Sequence, residues 1–225
     1  EYAVLKSPRT DVEMYAMAQT QVKPVTPEDI TTKAIPMSEL TFIAQVGEGS
    51  FGTVWKARFR TTWCAAKKLH ADEERSRQML QELVQEFDVM LNLRHPNVLL
   101  TMGLAVHESG WREGVALMME LMEASLLDVM REPSFSAYAT WDAAFISVAA
   151  DVSQGMAYLH YHDVLHRDLK PANILLDAQW IAKVADFGNS MAADAKAMTD
   201  PTAKLAGTPP YMAPEIINTL KYDKP

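Results

Sequence analysis

The sequence predicts an α+β fold in which strands come first and helices follow. Two observations point there. Between residues 40 and 69, three strand-like stretches run back to back around a glycine-rich turn. Beyond residue 120, apolar positions fall into helical period over two stretches, and a short polar loop rich in chemistry follows them.

Size and composition narrow the field. At 225 residues the chain is one large domain or two small lobes, with ample core. A hydrophobic content of 48% is ordinary for a soluble globular protein. A net charge of −8 argues against nucleic acid as the main partner. Cys64 is the single cysteine, so no intramolecular disulfide framework exists, which favours a reducing, cytoplasmic setting. The chain has no run of about 18 apolar residues of the kind that spans a membrane. It opens on Glu1 rather than Met, and is expected to be cut from something longer.

Residues 1–38 are rich in Thr and Pro and read as an extension or linker ahead of a domain over 39–225. Thr26 as N-cap, Pro27, Glu28 and Asp29 would permit one short helix. Ser7-Pro8 and Thr26-Pro27 have the form of proline-directed phosphorylation sites, but such dipeptides are commonly plain turns.

Residues 40–46 form the first strand of the domain. Gly47-Glu48-Gly49-Ser50-Phe51-Gly52 follows, then a second strand from Val54. In a dinucleotide-binding fold this glycine pattern would open a helix. Here the β-branched and aromatic Thr53-Val54-Trp55 comes next, so strand follows strand. A glycine hairpin of this kind can lie over nucleotide phosphates, because missing side chains let backbone N–H groups approach. In the third strand, residues 63–69, alternation puts Ala65 and Lys67 on one face and Cys64, Ala66 and Lys68 on the other.

Residues 72–93 carry Leu80, Leu83, Val84, Phe87, Met90 and Leu91 at helical spacing. A buried lysine needs a counter-charge. Glu86 fits that need best, since Leu83 and Met90 flank it on the apolar stripe; Glu74 and Glu82 read as surface. Residues 115–121 make a buried strand, and 125–131 a short helix. Residues 141–160 make a long amphipathic helix with Trp141, Phe145, Val148, Val152, Met156 and Leu159 as its stripe. Met118, Met119 and Met122 read equally well as ordinary core. His160 and His162 lack the further ligands that a zinc site needs.

The loop itself is His166-Arg167-Asp168-Leu169-Lys170-Pro171-Ala172-Asn173. A carboxylate, a cation two residues on and an amide three beyond can orient a hydroxyl and take its proton, face migrating phosphate charge and reach a divalent cation. The bland reading is a solvated turn between a helix and a strand. Asp186-Phe187-Gly188 follows Asp168 by eighteen residues, after an apolar strand holding Ile181 and Val184.

Over residues 40–225 these pieces together resemble the eukaryotic protein kinases. The glycine loop, lysine, helix glutamate, catalytic loop, Asp-Phe-Gly and Ala-Pro-Glu (213–215) occur in that family's order. The wording of residues 93–99 and 207–215 looks most like the tyrosine-kinase-like branch of serine/threonine kinases, near the Raf and mixed-lineage types. The resemblance implies a bilobal fold: a small antiparallel β lobe with one helix over 39–121, and a mainly helical large lobe over 122–225.

It also implies roles. Residues 47–52 (Gly47, Glu48, Gly49, Ser50, Phe51, Gly52) roof the phosphates of ATP. Val54 and Ala65 cover the adenine, Leu175 floors it, Met119 guards the back pocket, and backbone groups of Glu120 and Met122 meet its edge. Lys67, in register with Ala65, reaches the α- and β-phosphates, with Lys68 as the rival. Glu86, nine residues before His95 as in the family, pairs with Lys67. Asp168 is the base, Lys170 compensates charge on the transferred phosphoryl, and Asn173 and Asp186 hold Mg²⁺ or Mn²⁺. A protein hydroxyl is the acceptor, with Lys170–Asn173 worded as in serine/threonine-directed loops. Thr199 and Thr202 are candidate activating phosphosites facing Arg167.

Two features depart from the pattern. The family has a large apolar residue where this chain has Thr101, in a column with Met90, His166 and Phe187. The chain also stops at Pro225, where the family continues with several helices. A fragment of a longer chain, or a larger assembly that covers the exposed apolar area, is expected. Both departures keep a second reading open, that of a kinase-fold scaffold or regulatory subunit with little turnover.

Overall fold

The computed structural model describes residues 34–49, 52–69, 87, 90–111, 113–133, 145–187, 191–192 and 207–219. Its main element is a six-stranded sheet in the order β1-β5-β6-β4-β3-β2. β2 (Leu40–Gly49), β3 (Gly52–Phe59), β4 (Thr62–Leu69), β5 (Thr101–Val106) and β6 (Val115–Glu120) pair antiparallel. The hairpin register Gly47↔Val54, Glu48↔Thr53 and Gly49↔Gly52 makes the glycine segment the strand-to-strand turn its residues predict.

β1 (Ile35–Pro36) was not anticipated. It lies parallel to β5, with Ile35 opposite Ala105 and Pro36 opposite Val106. The sheet thus reaches back past residue 39, where the domain was expected to begin. A proline reads as a strand breaker, but at a sheet edge its missing N–H costs no ladder bond.

One face of the sheet closes over Met37, Leu40, Ala57, Cys64, Ala66, Ala105, Ala116 and Met118. Most of these are small, so the strands come close and Met37 fills the remaining gap. The alternation in β4 has the expected sense. Cys64 and Ala66 enter this core, Lys67 is half-buried on the opposite face, and Lys68 is exposed with its Nζ 5.6 Å from the Phe42 ring.

After the sheet, Ala124–Ser125 (β7), Ile174–Leu176 (β9) and Ala182–Val184 (β10) form a small antiparallel sheet; Val164–Leu165 (β8) pairs with Met191–Ala192 (β11). Helix α1 (Leu126–Arg131) starts at Ser125, whose hydroxyl accepts from the Asp128 amide while the Asp128 carboxylate takes the Ser125 amide. Helix α2 (Ile146–Tyr161) buries Val148, Gly155 and Leu159. Gly155 lies on the buried stripe because a Cβ there would sit 2.4 Å from the Asn97 carbonyl oxygen. A third helix, α3, covers Pro214–Thr219.

Residues 94–99 join the two parts. Leu99 N donates to Val184 O and Val184 N to Asn97 O, each at 2.9 Å, and the Asn97 side chain donates to Ala182 O at 3.0 Å. Arg94 N donates to the Tyr158 hydroxyl at 2.9 Å, and His95 stacks on the Tyr158 ring. His95 shapes the turn here, its Nδ1 accepting from Asn97 N. Among the described residues, no helix is long and apolar enough to cross a membrane.

Candidate active site

The loop between β8 and β9 is built around a buried histidine. His166 is 1% exposed, and its Nε2 lies 2.9 Å from Ala185 O. A carbonyl can only accept, so Nε2 carries the hydrogen and Nδ1 is free to accept from Asp168 N (3.3 Å). Burial pushes the imidazole below its usual range, which keeps it neutral; the bond to Ala185 and the charges of Asp186 and Asp168 oppose that less strongly. One neutral ring thus ties the Asp168 loop to the residue before Asp186. Arg167 and Asp186 on either side take left-handed backbone angles, φ 64° and 66°. Non-glycine residues adopt that region where surrounding structure holds them there, as at active sites.

Asp168 collects a dense set of donors. Lys170 Nζ lies 2.6 Å from its Oδ2, and Thr208 Oγ1 lies 2.6 Å from its Oδ1. Lys170 Nζ also donates to Thr208 Oγ1 (2.7 Å), so the three groups form a closed triangle. Asn173 Nδ2 donates to Asp168 O at 2.8 Å and to its Oδ2 at 3.3 Å. Burial alone would raise the Asp168 carboxyl. The hydrogen bonds from Lys170 and Thr208, the Lys170 charge and Asn173 outweigh it and hold the group below the usual carboxylate range.

Thr208 is a site residue that sequence reasoning did not single out. It comes from 40 positions away, held beside the loop by Gly207. Gly207 has φ +110°, and a Cβ on it would lie 2.4 Å from the Arg167 carbonyl oxygen. Only glycine fits both demands.

Across the cleft, Lys67 Nζ lies 3.7 Å from Asp186 Oδ1. A lysine of the large sheet and a carboxylate beyond β10 therefore share one space, while Lys68 points to the other face. The hairpin residues Gly47, Glu48, Gly49, Gly52 and Val54 sit on the strands leading to Lys67, with Val54 its cross-strand neighbour. Ala65 pairs with Met119, which is 8% exposed, and Leu175 pairs with Lys183 on the small sheet. Met122 is half-buried in the connection between β6 and β7. Ser50, Phe51, Glu86, Gly188, Thr199 and Thr202 lie outside the described residues.

Glu120 is held by both backbone and side chain. Its amide donates to Leu100 O at 3.0 Å. Its carboxylate, unremarked in the sequence, accepts from Leu100 N at 2.7 Å and from Lys183 Nζ at 2.9 Å. The connection between the lobes is thus strapped to β10 at the point where the chain crosses.

For a divalent cation, the donor set fits. The Asn173 amide nitrogen is engaged by Asp168, which turns the side-chain oxygen to other partners, and Asp186 supplies a half-exposed carboxylate. Both are hard oxygen donors of the kind that Mg²⁺ takes together with phosphate oxygens.

A family model described as protein kinase domain matches residues 40–225. The chain belongs to this family. A kinase domain implies ATP and a divalent metal. The curated relatives of this kinase domain include "Dual specificity protein kinase shkB" of Dictyostelium discoideum, 37% identical over 204 residues, covering 87% of this chain and 30% of that protein. "Serine/threonine-protein kinase CTR1" of Arabidopsis thaliana is 32% identical over 185 residues, covering 81% of this chain and 22% of that protein. "Probable serine/threonine-protein kinase DDB_G0267514" of Dictyostelium discoideum is 32% identical over 184 residues, covering 81% and 19%. The kinase domain therefore spans less than a third of each relative's length.

Proposed function

We propose that this domain transfers the γ-phosphoryl group of ATP to serine or threonine hydroxyls of proteins. The observation that carries the reading is the Asp168–Lys170–Thr208 triangle, with Lys67 and Asp186 facing each other in the same cleft. Asp168, kept ionised, accepts the proton of the incoming hydroxyl. Lys170 neutralises charge on the phosphoryl in flight, and Thr208 fixes both side chains in one geometry. Lys67 contacts the α- and β-phosphates, with Glu86 as its partner. Residues 47–52 roof the phosphates, and Val54, Ala65, Met119, Glu120, Met122 and Leu175 enclose the adenine. Asn173 and Asp186 hold the Mg²⁺ or Mn²⁺ ion, which when bound neutralises phosphate charge.

A serine/threonine rather than tyrosine preference agrees with the Lys170–Asn173 wording and with the names of the relatives. The tyrosine-kinase-like branch agrees with them too. An apolar hollow of about 330 Å³, lined by Leu126, Val148, Val152, Leu169, Ile174 and Tyr211, is where a further segment of the full protein or an assembly partner would pack. A cytoplasmic setting, read from the lone Cys64, belongs to the same proposal.

The test is labelled-ATP transfer by the full-length protein beside an Asp168→Asn form. Loss of two or more orders of magnitude, the usual weight of a positioned acid–base group, is expected. Equal signal from both would discard catalysis and favour the scaffold reading.

A further inference from the structure

Residues 35–36 form an edge strand of the six-stranded sheet, and residues 37–39 continue from it as a short 3-10 turn. β1 is two residues long and, among the described residues, pairs with β5 alone. Ile35 packs against Gly103, and Met37 caps the small-residue core. Past Met37, Ser38 N donates to Glu108 Oε1 at 2.9 Å. The neighbouring Glu39 carboxylate takes Arg60 Nε at 2.7 Å. Ser38 and Glu108 are both exposed.

The clasp depends on Glu108 meeting an uncharged Ser38, whose amide it accepts from. A phosphate on Oγ adds about −1.5 to −2 charge beside that amide. The new charge would face Glu108 and stand beside Glu39, whose carboxylate already occupies Arg60. An attractive contact becomes a repulsive one, at the end of a strand too short to hold alone.

We propose that Ser38 is a phosphorylation site, and that its modification by a protein serine/threonine kinase using ATP releases residues 34–39 from Glu108 and from the β5 edge. In the transfer, Ser38 Oγ bonds to the γ-phosphorus. The bond from that phosphorus to the β,γ-bridging oxygen breaks, and its electron pair leaves on ADP. The hydroxyl proton passes to the acting kinase's catalytic carboxylate and then to solvent. Any serine/threonine kinase can supply this step, so the site stands apart from this domain's own turnover.

Phosphopeptide mapping of the complete protein, incubated with MgATP alone and with a panel of serine/threonine kinases, is expected to find phosphate on Ser38. An Asp168→Asn form run alongside tells transfer by the domain itself from transfer by an added kinase. Ser38 unmodified in every arm overturns the proposal. Hydrogen exchange reads the release. Ser38→Asp is expected to speed exchange across residues 35–37 and 105–106 by roughly tenfold, the loss of about one charge-assisted hydrogen bond. Adding Glu108→Lys should restore most of the protection. Unchanged exchange in Ser38→Asp, or a loss that Glu108→Lys does not restore, rejects the clasp as the controlling contact.

Discussion

Asp168 is 5% exposed and Thr101 is 2% exposed, so the fold removes both polar side chains from water. Around Asp168, donors arrive from Lys170, Asn173 and Thr208. Around Thr101, Oγ1 finds no hydrogen-bond partner among the described residues. Burying a carboxylate costs several kcal/mol unless donors replace its water, and here they do. Burying an unpartnered hydroxyl costs about 1–3 kcal/mol with no return. The difference shows where the fold concentrates polar complementarity. It is spent at the reacting loop, while the start of β5 tolerates an orphan at Thr101. His166 and Phe187 touch, with ring centroids 5.4 Å apart.

The largest effect should come from breaking the satisfied side of this contrast. Thr208→Val keeps the shape but removes the hydroxyl that bridges Asp168 and Lys170. Loss of a hydrogen bond to a charged group predicts a fall in phosphotransfer turnover of roughly tenfold to a hundredfold, with Thr208→Ser close to native. Steady-state kinetics on the three forms decides it; native turnover in Thr208→Val would mean the triangle is incidental.

Next comes Gly155, where two physical effects oppose each other. Helix propensity says Gly→Ala in α2 should stabilise by about 1 kcal/mol. Packing says the opposite, since a Cβ there meets the Asn97 carbonyl at 2.4 Å and Val184 at 3.2 Å. Overpacking against backbone typically costs 1–3 kcal/mol, so net destabilisation of up to about 2 kcal/mol is expected in urea unfolding. A stabilised Gly155→Ala would show that residues 94–99 are free to move away from α2.

The unsatisfied side should respond with the opposite sign. Thr101→Val replaces the orphan hydroxyl with a methyl group in a site that already excludes water. Stability should rise by about 1 kcal/mol. A loss of stability would place an unseen partner on Thr101.

These residues differ in how readable they are. Lys67 was legible over Lys68 because strand alternation is local: one period assigns a face, and the structure puts that face toward Asp186. The strands β2, β3, β4 and β6, with α1 and α2, were legible for the same reason, through periodicity. Thr208 was not, because its role depends on Gly207 folding back onto Arg167 across 40 residues. Glu120 was read for its backbone, yet its side chain reaches Leu100 and Lys183, which no local pattern announces. Gly155 looks like a weak point in a helix until Asn97 is placed against it. β1 was hidden by Pro36, which argues against a strand everywhere except at an edge.

The smallest effect belongs to the exposed clasp at the sheet edge, and its pH dependence separates it from the buried network. The Ser38 side-chain and backbone hydrogen bonds hold the Glu108 carboxyl down at about 2, against an ordinary value of 4.5. A folded-state value below the unfolded one means the contact contributes fully above about pH 4.5 and fades as pH falls toward 2. At neutral pH it is therefore insensitive to acid, unlike a histidine-based latch. Because Glu108 lies in water, salt should weaken the contact and its share of global stability should be slight. Carboxyl NMR titration checks this directly. Glu108 should titrate well below 4.5, and Ser38→Ala should move it part of the way back. A native Glu108 titrating with the rest would mean that Ser38 does not hold it in solution.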